Sequence, residues 1–257
     1  MSKELALKIR RHCLEMTNKS KASHIGSCLS IADILAVLYG NVMNYRTDDP
    51  NWECRDRFIL SKGHACAALY AVLAECGFFP IKELDTFYGE GVLMGHASHF
   101  VKGVDASTGS LGMGLSIGCG MALGIKQMVY VLLGDGDCDE GMTWEAAMFA
   151  GHHNLSNLVV IIDSNNLQAL GSPSDILNLE PLKGKWESFG WDTRIIGGHN
   201  VEEIEKTLKY AKRNDRPTCI IARTIKGKGV SFMENRLDSH YKYPNDEELK
   251  KALEELK

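Results

Sequence analysis

Apolar and polar positions follow two rhythms along this chain. In its second half, nearly continuous apolar runs occur in VYVLLGD, LVVIIDSNN, WDTRIIGG and PTCIIART. Stretches with helical spacing stand before and between them: GLSIGCGMALGIKQ, MTWEAAMFAGHH, PLKGKWESFG and VEEIEKTLKYAKR. Short apolar runs without polar alternation suit strands covered on both faces, and the intervening helices suit parallel crossovers. Upstream, the pattern predicts a helix over MSKELALKIRRHCLEM and another near IADILAVLYGNVM. RFILSKGH reads as a short strand running into a turn, and ACAALYAVLAECG as a helix. Residues 89–109, rich in Gly, His and Ser, read as an irregular loop too long for a plain connector. A second loop holds Pro173. The tail, NDEELKKALEELK, reads as a charged, solvated helix. The pattern therefore predicts an α/β fold, one domain over residues 1–257 with a central parallel sheet flanked by helices and a short charged C-terminal helix.

Composition narrows the function classes. Of the 257 residues, 44% are hydrophobic and 24% charged, the balance of a packed globular domain. The net charge of −4 supplies no basic field for nucleic acid or an anionic membrane. The charged N-terminus lacks a signal-peptide core, and no apolar run is expected to span a bilayer. The eight cysteines include no C-x-x-C pair and read as core residues without a disulfide framework, so a reducing cytoplasm is expected.

The chemistry concentrates where one apolar run stops, at LLGDGDCDEGMTWEAA (132–147). In an open parallel sheet, ligands gather at the carboxyl ends of strands. Asp135 closes one predicted strand, and Asn165 and Asn166 close the next. A carboxylate and a carboxamide offer oxygen donors, which suit a hard cation such as Mg²⁺ or Ca²⁺. Gly134 and Gly136 would let a phosphate approach the backbone. The plain alternative is a strand-ending Asp-Gly turn, with Asp139 and Glu140 capping the next helix. A dinucleotide fingerprint fits poorly, because GDGDCD lacks the third glycine.

GDG followed after a helix by NN resembles the thiamine diphosphate motif. HIGSCLSIADIL, SKGHACAALY, the GH of LMGHAS, STGSLGMGLSIG and RTIKGKGVSFMEN resemble transketolase, in transketolase order. The resemblance is to the N-terminal, diphosphate-binding (PP) domain. It implies that Asp135, the Asn165 side chain and the Leu167 carbonyl hold Mg²⁺, which Ca²⁺ or Mn²⁺ can replace. His64, Gly112 and Gly136, with Asp135, Asn165 and Leu167, would bind thiamine diphosphate. Glu140 and Glu145 match acids of the family's subunit interface, which leaves Asp137 and Asp139 as solvated or helix-capping acids.

Of nine histidines, His24, His64, His96 and His240 fall at or beside the matching blocks. The resemblance makes them catalytic residues lining the substrate channel. Ketol transfer makes and unmakes alkoxides, for which groups titrating near neutrality are apt. His12, His99, His152, His153 and His199 read as structural. Interior glycines in STGSLGMGLSIGCGMALG cost about 1 kcal/mol each relative to alanine, so they mark close approach of a ligand or of the sheet. Three departures from the family pattern, Ile25, Ala97 and Met113, lie near the expected channel.

The resemblance further implies a two-carbon ketol transfer from a ketose or ketose phosphate to an aldose or aldose phosphate. Full-length members are longer and carry a pyrimidine-binding domain. A separate C-terminal subunit is therefore expected, in a heterotetramer with two sites, with neither nucleic acid nor membrane as partner. The rival readings are a non-catalytic regulatory chain, the α chain of a 2-oxoacid dehydrogenase, and a deoxyxylulose-phosphate synthase-like chain. SKGH, the His24 block and TIKGKG favour transketolase.

Overall fold

The computed structural model describes residues 2–257. In chain order, α1 (Ser2–Ser20), α2 (Ile25–Leu29) and α3 (Ala32–Val37, prolonged by a π turn at Leu38–Val42) precede β1 (Arg57–Leu60). Then come α4 (Cys66–Glu75), α5 (Met113–Gly124), β2 (Val129–Gly134), α6 (Gly141–His152) and β3 (Leu158–Ser164). The chain continues through α7 (Pro173–Ile176), α8 (Leu182–Ser188), β4 (Asp192–Gly197), α9 (Val201–Ala211), β5 (Thr218–Arg223) and α10 (Asp246–Glu255). The strands form one wholly parallel sheet in the order β1-β2-β3-β5-β4. The predicted strands and main helices all form. The loop over 89–109 has no helix or strand, as its composition predicts.

The runs of β1, β2, β3 and β5 are buried on both faces, with successive strand side chains pointing to opposite sides, whereas β4, at the sheet edge, leaves Ile195 exposed. Phe58, Leu60, Tyr130, Leu132, Val159 and Ile161 face one core, closed by α1–α4 and α9. Ile59, Val131, Leu133, Val160 and Ile162 face the other, closed by α5, α6 and α8. In the parallel register Gly134 stands opposite Asp163, and Asp163 opposite Ala222. The carboxyl ends of the central strands therefore finish level.

Three expectations change. The helical run from Ile25 to Val42 is long and apolar enough to cross a membrane by length and composition, with mean hydropathy 1.6 over 18 residues. In this fold 89% of it is buried, packed over the sheet. The Pro173 loop contains a helical turn, α7, started by that proline at its first position. The tail helix is not merely solvated. It opens on an Asn245–Glu248 capping box and buries Ala252 and Leu256 in the core beside α1. All eight cysteines are free thiols, most of them buried.

The glycines of α5 divide by face. A Cβ on Gly114 would stand 2.4 Å from Ser61 Cβ, and one on Gly118 2.5 Å from Val131 Cγ2. Both are needed for close packing on the sheet. Gly120 meets open space. Gly118→Ala should therefore destabilise the chain by about 1–3 kcal/mol through overpacking, whereas Gly120→Ala should stabilise it by up to about 1 kcal/mol. Urea denaturation of both variants checks this; shifts of the same sign would contradict the packing.

Candidate active site at the carboxyl ends of the strands

A cleft of about 260 Å³ opens at the level strand ends. Lys62 and His64, after β1, supply one wall; Gly134, Asp135 and Gly136, after β2, another. Asn165, Leu167 and Gln168 follow β3, and Lys226 follows β5. Ser27, Leu111, Asp137 and His240 complete most of the lining. A smaller cavity beside it is lined by His24, His64, His96, Phe87 and Tyr88, so His64 is shared by both.

Asp135 sits in the 3-10 turn that follows β2 and is 5% exposed. Its Oδ2 is buried without a hydrogen-bond partner. Burial, then the neighbouring Asp163 carboxylate, pushes the Asp135 carboxyl up to about 7, although Lys62 and the backbone N–H groups of Asn165 and Asn166 pull the other way. Asn165 is oriented by its surroundings. Its Nδ2 donates to Asp163 Oδ2 at 2.9 Å, and a carboxylate can only accept, so Oδ1 must face away. That oxygen accepts from Leu167 N at 3.0 Å. The Leu167 carbonyl completes a set made only of oxygens. Among the described residues no group of three His, Cys, Asp or Glu side chains could hold a metal ion. The mixed carboxylate, carboxamide and carbonyl set, with an orphaned buried oxygen, fits a hard cation that keeps water and phosphate ligands.

Two lysines surround this carboxylate, and sequence reasoning missed both. Lys62 Nζ donates to Asp163 Oδ2 at 2.5 Å, and both side chains are essentially fully buried. Asp163 also accepts from Ser30 Oγ at 2.8 Å and from Thr224 Oγ1. Burial alone would raise its carboxyl, but the Lys62 ammonium and these hydrogen bonds hold it below the usual range. Lys226 is 1% exposed. It donates to the Leu167 and Gln168 carbonyls at 3.0 and 3.3 Å and meets His240 Nδ1 at 3.1 Å. Among the described residues no carboxylate pairs with it. Burial and the Lys62 charge lower it to about 8. A buried ammonium held only by neutral groups is suited to an anion entering the cleft. The signals for both lysines lay within SKGH and TIKGKG.

Asp137, expected to be a solvated or capping acid, is fully buried. Its Oδ1 accepts from Ser61 Oγ at 2.6 Å and Gly112 N at 2.8 Å, and its Oδ2 from Gly134 N at 2.8 Å. One carboxylate thus ties together three wall segments. Asp139 is also drawn inward, accepting from Gln168 Nε2 at 2.7 Å. Glu140 and Glu145 are exposed. Gly112 itself stands behind the wall. Its φ of 83° favours glycine, and a Cβ would meet Glu140 Cβ at 2.6 Å, while Leu111 faces the cleft. Gly136 lines the cleft directly.

The four candidate histidines do gather. Ring centroids lie 5.0 Å apart for His24–His64, 4.9 Å for His24–His240, 5.4 Å for His64–His240 and 6.3 Å for His24–His96. His24 holds the left-handed conformation, φ 76°, which is strained for a side chain of this size. Its N–H donates to the His240 carbonyl at 2.9 Å, fixing that turn. The expectation of titration near neutrality is not met in this chain. Burial lowers His24 to about 4 and His240 to about 3, and holds His64 well below the usual value. The Lys62 charge adds to each effect, and the Lys226 charge to those on His24 and His240. These three rings are therefore neutral at pH 7, each with one N–H and one lone pair. Ile25 and Ala97 are buried beside the cluster, and Met113 points outward at 42% exposure.

Comparisons with known proteins agree with this architecture. The family described as "Transketolase, thiamine diphosphate binding domain" matches residues 1–256. The chain is 44% identical over 258 residues to the 6-deoxy-6-sulfo-D-fructose transketolase subunit SqwG of Clostridium sp. (strain MSTE9), covering 96% of this chain and 93% of that one. It is 40% identical to a subunit of the apulose-4-phosphate transketolase of Phocaeicola vulgatus, covering 97% of this chain and 91% of that one. The crystal structure of transketolase from Campylobacter jejuni superposes with a TM-score of 0.94 at 34% identity, over 99% of this chain. This chain spans 42% of that solved chain's length.

The raised Asp135 carboxyl makes a pH-dependent prediction for protein freed of divalent cations. The folded chain holds this proton more tightly than the unfolded one. The resulting stability is fully present below pH about 4 and is lost as pH rises towards about 7. Asp135→Asn, which carries no charge, should leave stability little changed near pH 4. Its gain over wild type should grow to the order of 4 kcal/mol by pH 7 and stay level above. Urea denaturation in chelator across pH measures this; a gain independent of pH would refute the buried-carboxyl account.

Proposed function

The chain belongs to the transketolase family, as its thiamine diphosphate-binding domain, and on that premise we propose that it is the N-terminal subunit of a two-chain transketolase. It moves a two-carbon ketol unit from a ketose or ketose phosphate to an aldose or aldose phosphate, with thiamine diphosphate and Mg²⁺. The observation that carries this reading is the pairing, in one cleft, of the orphaned Asp135 oxygen with the buried Lys226 ammonium. A cation and a diphosphate bound together satisfy both. The two relatives named as transketolase subunits are matched over 93% and 91% of their length, which supports a separate partner chain.

In this reading Asp135, Asn165 Oδ1 and the Leu167 carbonyl hold Mg²⁺, for which Ca²⁺ or Mn²⁺ can substitute. Lys226 anchors the diphosphate, and Gly136 lets it lie against the backbone. Asp163 already neutralises Lys62, so Lys62 acts mainly on the neighbouring charges. Thiamine diphosphate supplies the centre that carries the two-carbon unit. His64, at the junction of the two cavities, orients the reacting sugar carbons, while His24, His96 and His240 bind sugar hydroxyls. A neutral imidazole can donate to one oxygen and accept from another, which suits a polyol. The separate C-terminal subunit supplies the pyrimidine-binding half of the site, in a heterotetramer. The free thiols accord with a cytoplasmic setting.

The test is to mix the chain with its pyrimidine-domain partner, Mg²⁺ and thiamine diphosphate, and to follow ketose-to-aldose transfer. Transfer is expected from the mixture and not from the chain alone. Pyruvate consumption without ketol transfer would overturn the proposal. Within the active mixture, His64→Ala should lower turnover by about a hundredfold or more and change cofactor affinity far less. Asp135→Ala should abolish Mg²⁺-dependent cofactor binding measured by calorimetry; retained binding would sink the metal assignment.

A further inference from the structure

Arg10, Asp33 and His199 lie on three elements, and none lines the cleft. Arg10, on α1, is 5% exposed, and Asp33, on α3, is 7% exposed. His199 stands between β4 and α9. Arg10 grips Asp33 with two bonds, Nη2 to Oδ2 at 2.5 Å and Nη1 to Oδ1 at 3.2 Å. His199 Nδ1 reaches the same Oδ2 at 2.7 Å. The other face of the imidazole settles the direction of that bond. Ile225 N–H, which can only donate, points at His199 Nε2 at 2.8 Å. Nε2 is therefore the acceptor, and Nδ1 carries the proton that it donates to Asp33.

Arg10 makes one further bond, from Nε to the Lys228 carbonyl at 3.0 Å. Ile225 and Lys228 bracket Lys226 in a tight turn, closed by Lys228 N to Ile225 O at 3.2 Å. Asp33 thus holds both ends of the turn that carries Lys226, one through His199 and the other through Arg10. The turn has little other freedom. Gly227 sits at φ 80°, where a Cβ would meet the Met233 carbonyl at 2.2 Å, and its N–H donates to Gly26 O at 3.0 Å.

We propose that Asp33, His199 and Arg10 are positioning residues for the diphosphate, acting at a distance through the placement of Lys226. A buried carboxylate–guanidinium pair is a costly way to obtain packing alone, because removing two charges from water offsets much of their attraction. Here the pair has a specific use. It directs fixed donors and acceptors at the backbone on either side of one cationic side chain. An ammonium displaced by an ångström loses much of its charge-assisted contact with a phosphate. The inference rests on the assignment of Lys226 to the diphosphate.

The test is a double-mutant cycle in the two-chain complex, with thiamine diphosphate titrated calorimetrically in Mg²⁺. His199→Gln should weaken binding by about tenfold and Lys226→Met by about a hundredfold. The double variant should bind no more than about twofold weaker than Lys226→Met alone, because His199 acts through Lys226. Multiplying losses would mean that His199 acts independently of the lysine, and would overturn the inference while leaving the functional reading intact. Asp33→Asn keeps the shape of its side chain and must show the same non-additivity with Lys226→Met. The inference is decided on that variant if the His199 variant does not fold. A wild-type complex that takes up no thiamine diphosphate would overturn the functional reading and this inference with it.

Discussion

The site depends on one buried ion pair. Lys62 leaves the end of β1, and Asp163 is the penultimate residue of β3; their contact reaches across β2, which lies between those strands. Thr224, following β5, and Ser30, between α2 and α3, donate to the same carboxylate. Asp163 therefore gathers the ends of three strands and one helical layer. Removing one partner of such a pair leaves an uncompensated buried charge, at a cost of about 3–5 kcal/mol. The pair also sets the chemistry around it. Asp163 orients the Asn165 amide and raises the Asp135 carboxyl, while Lys62 depresses His24, His64, His240 and Lys226.

The acidic turn acquires different roles from burial and direction, although its residues are alike in type. Asp135 lines the cleft and keeps one oxygen without a partner. Asp137, two residues on, spends both oxygens on a hydroxyl and two backbone N–H groups, and so holds the walls. Glu140 and Glu145 stay exposed, as do Met113, Met142 and Met148. Two residues along the 3-10 turn separate the roles of Asp135 and Asp137, since side chains there point in different directions.

The histidine cluster follows the same logic. Three imidazoles packed within about 5.4 Å of one another, beside two ammonium groups, favour the neutral state of these buried rings. The cost of assembling them is visible in His24, held in the left-handed region and secured through its backbone to His240.

Much of this protein was legible along the chain. The unbroken apolar runs determined a parallel sheet buried on both faces, because period-two side chains with no polar face leave no side for water. Asp135 and Asn165 were placed by their positions just beyond two such runs, and the four histidines by their motifs. Depth and pairing were not legible. Asp137 and Asp139 read as surface acids because a carboxylate in a polar, glycine-rich turn usually meets water. The burial of Asp137 follows from Ser61 and Gly112, which arrive from distant parts of the chain. Lys62 and Lys226 sat inside recognisable motifs but lacked any local sign of burial, and His199 looked merely structural. Their roles arise from contacts between residues far apart in sequence. Local pattern determines which element forms and which face is apolar. Only the tertiary structure decides which charges share a low-dielectric space, and that choice set the protonation states and the division of labour in this site.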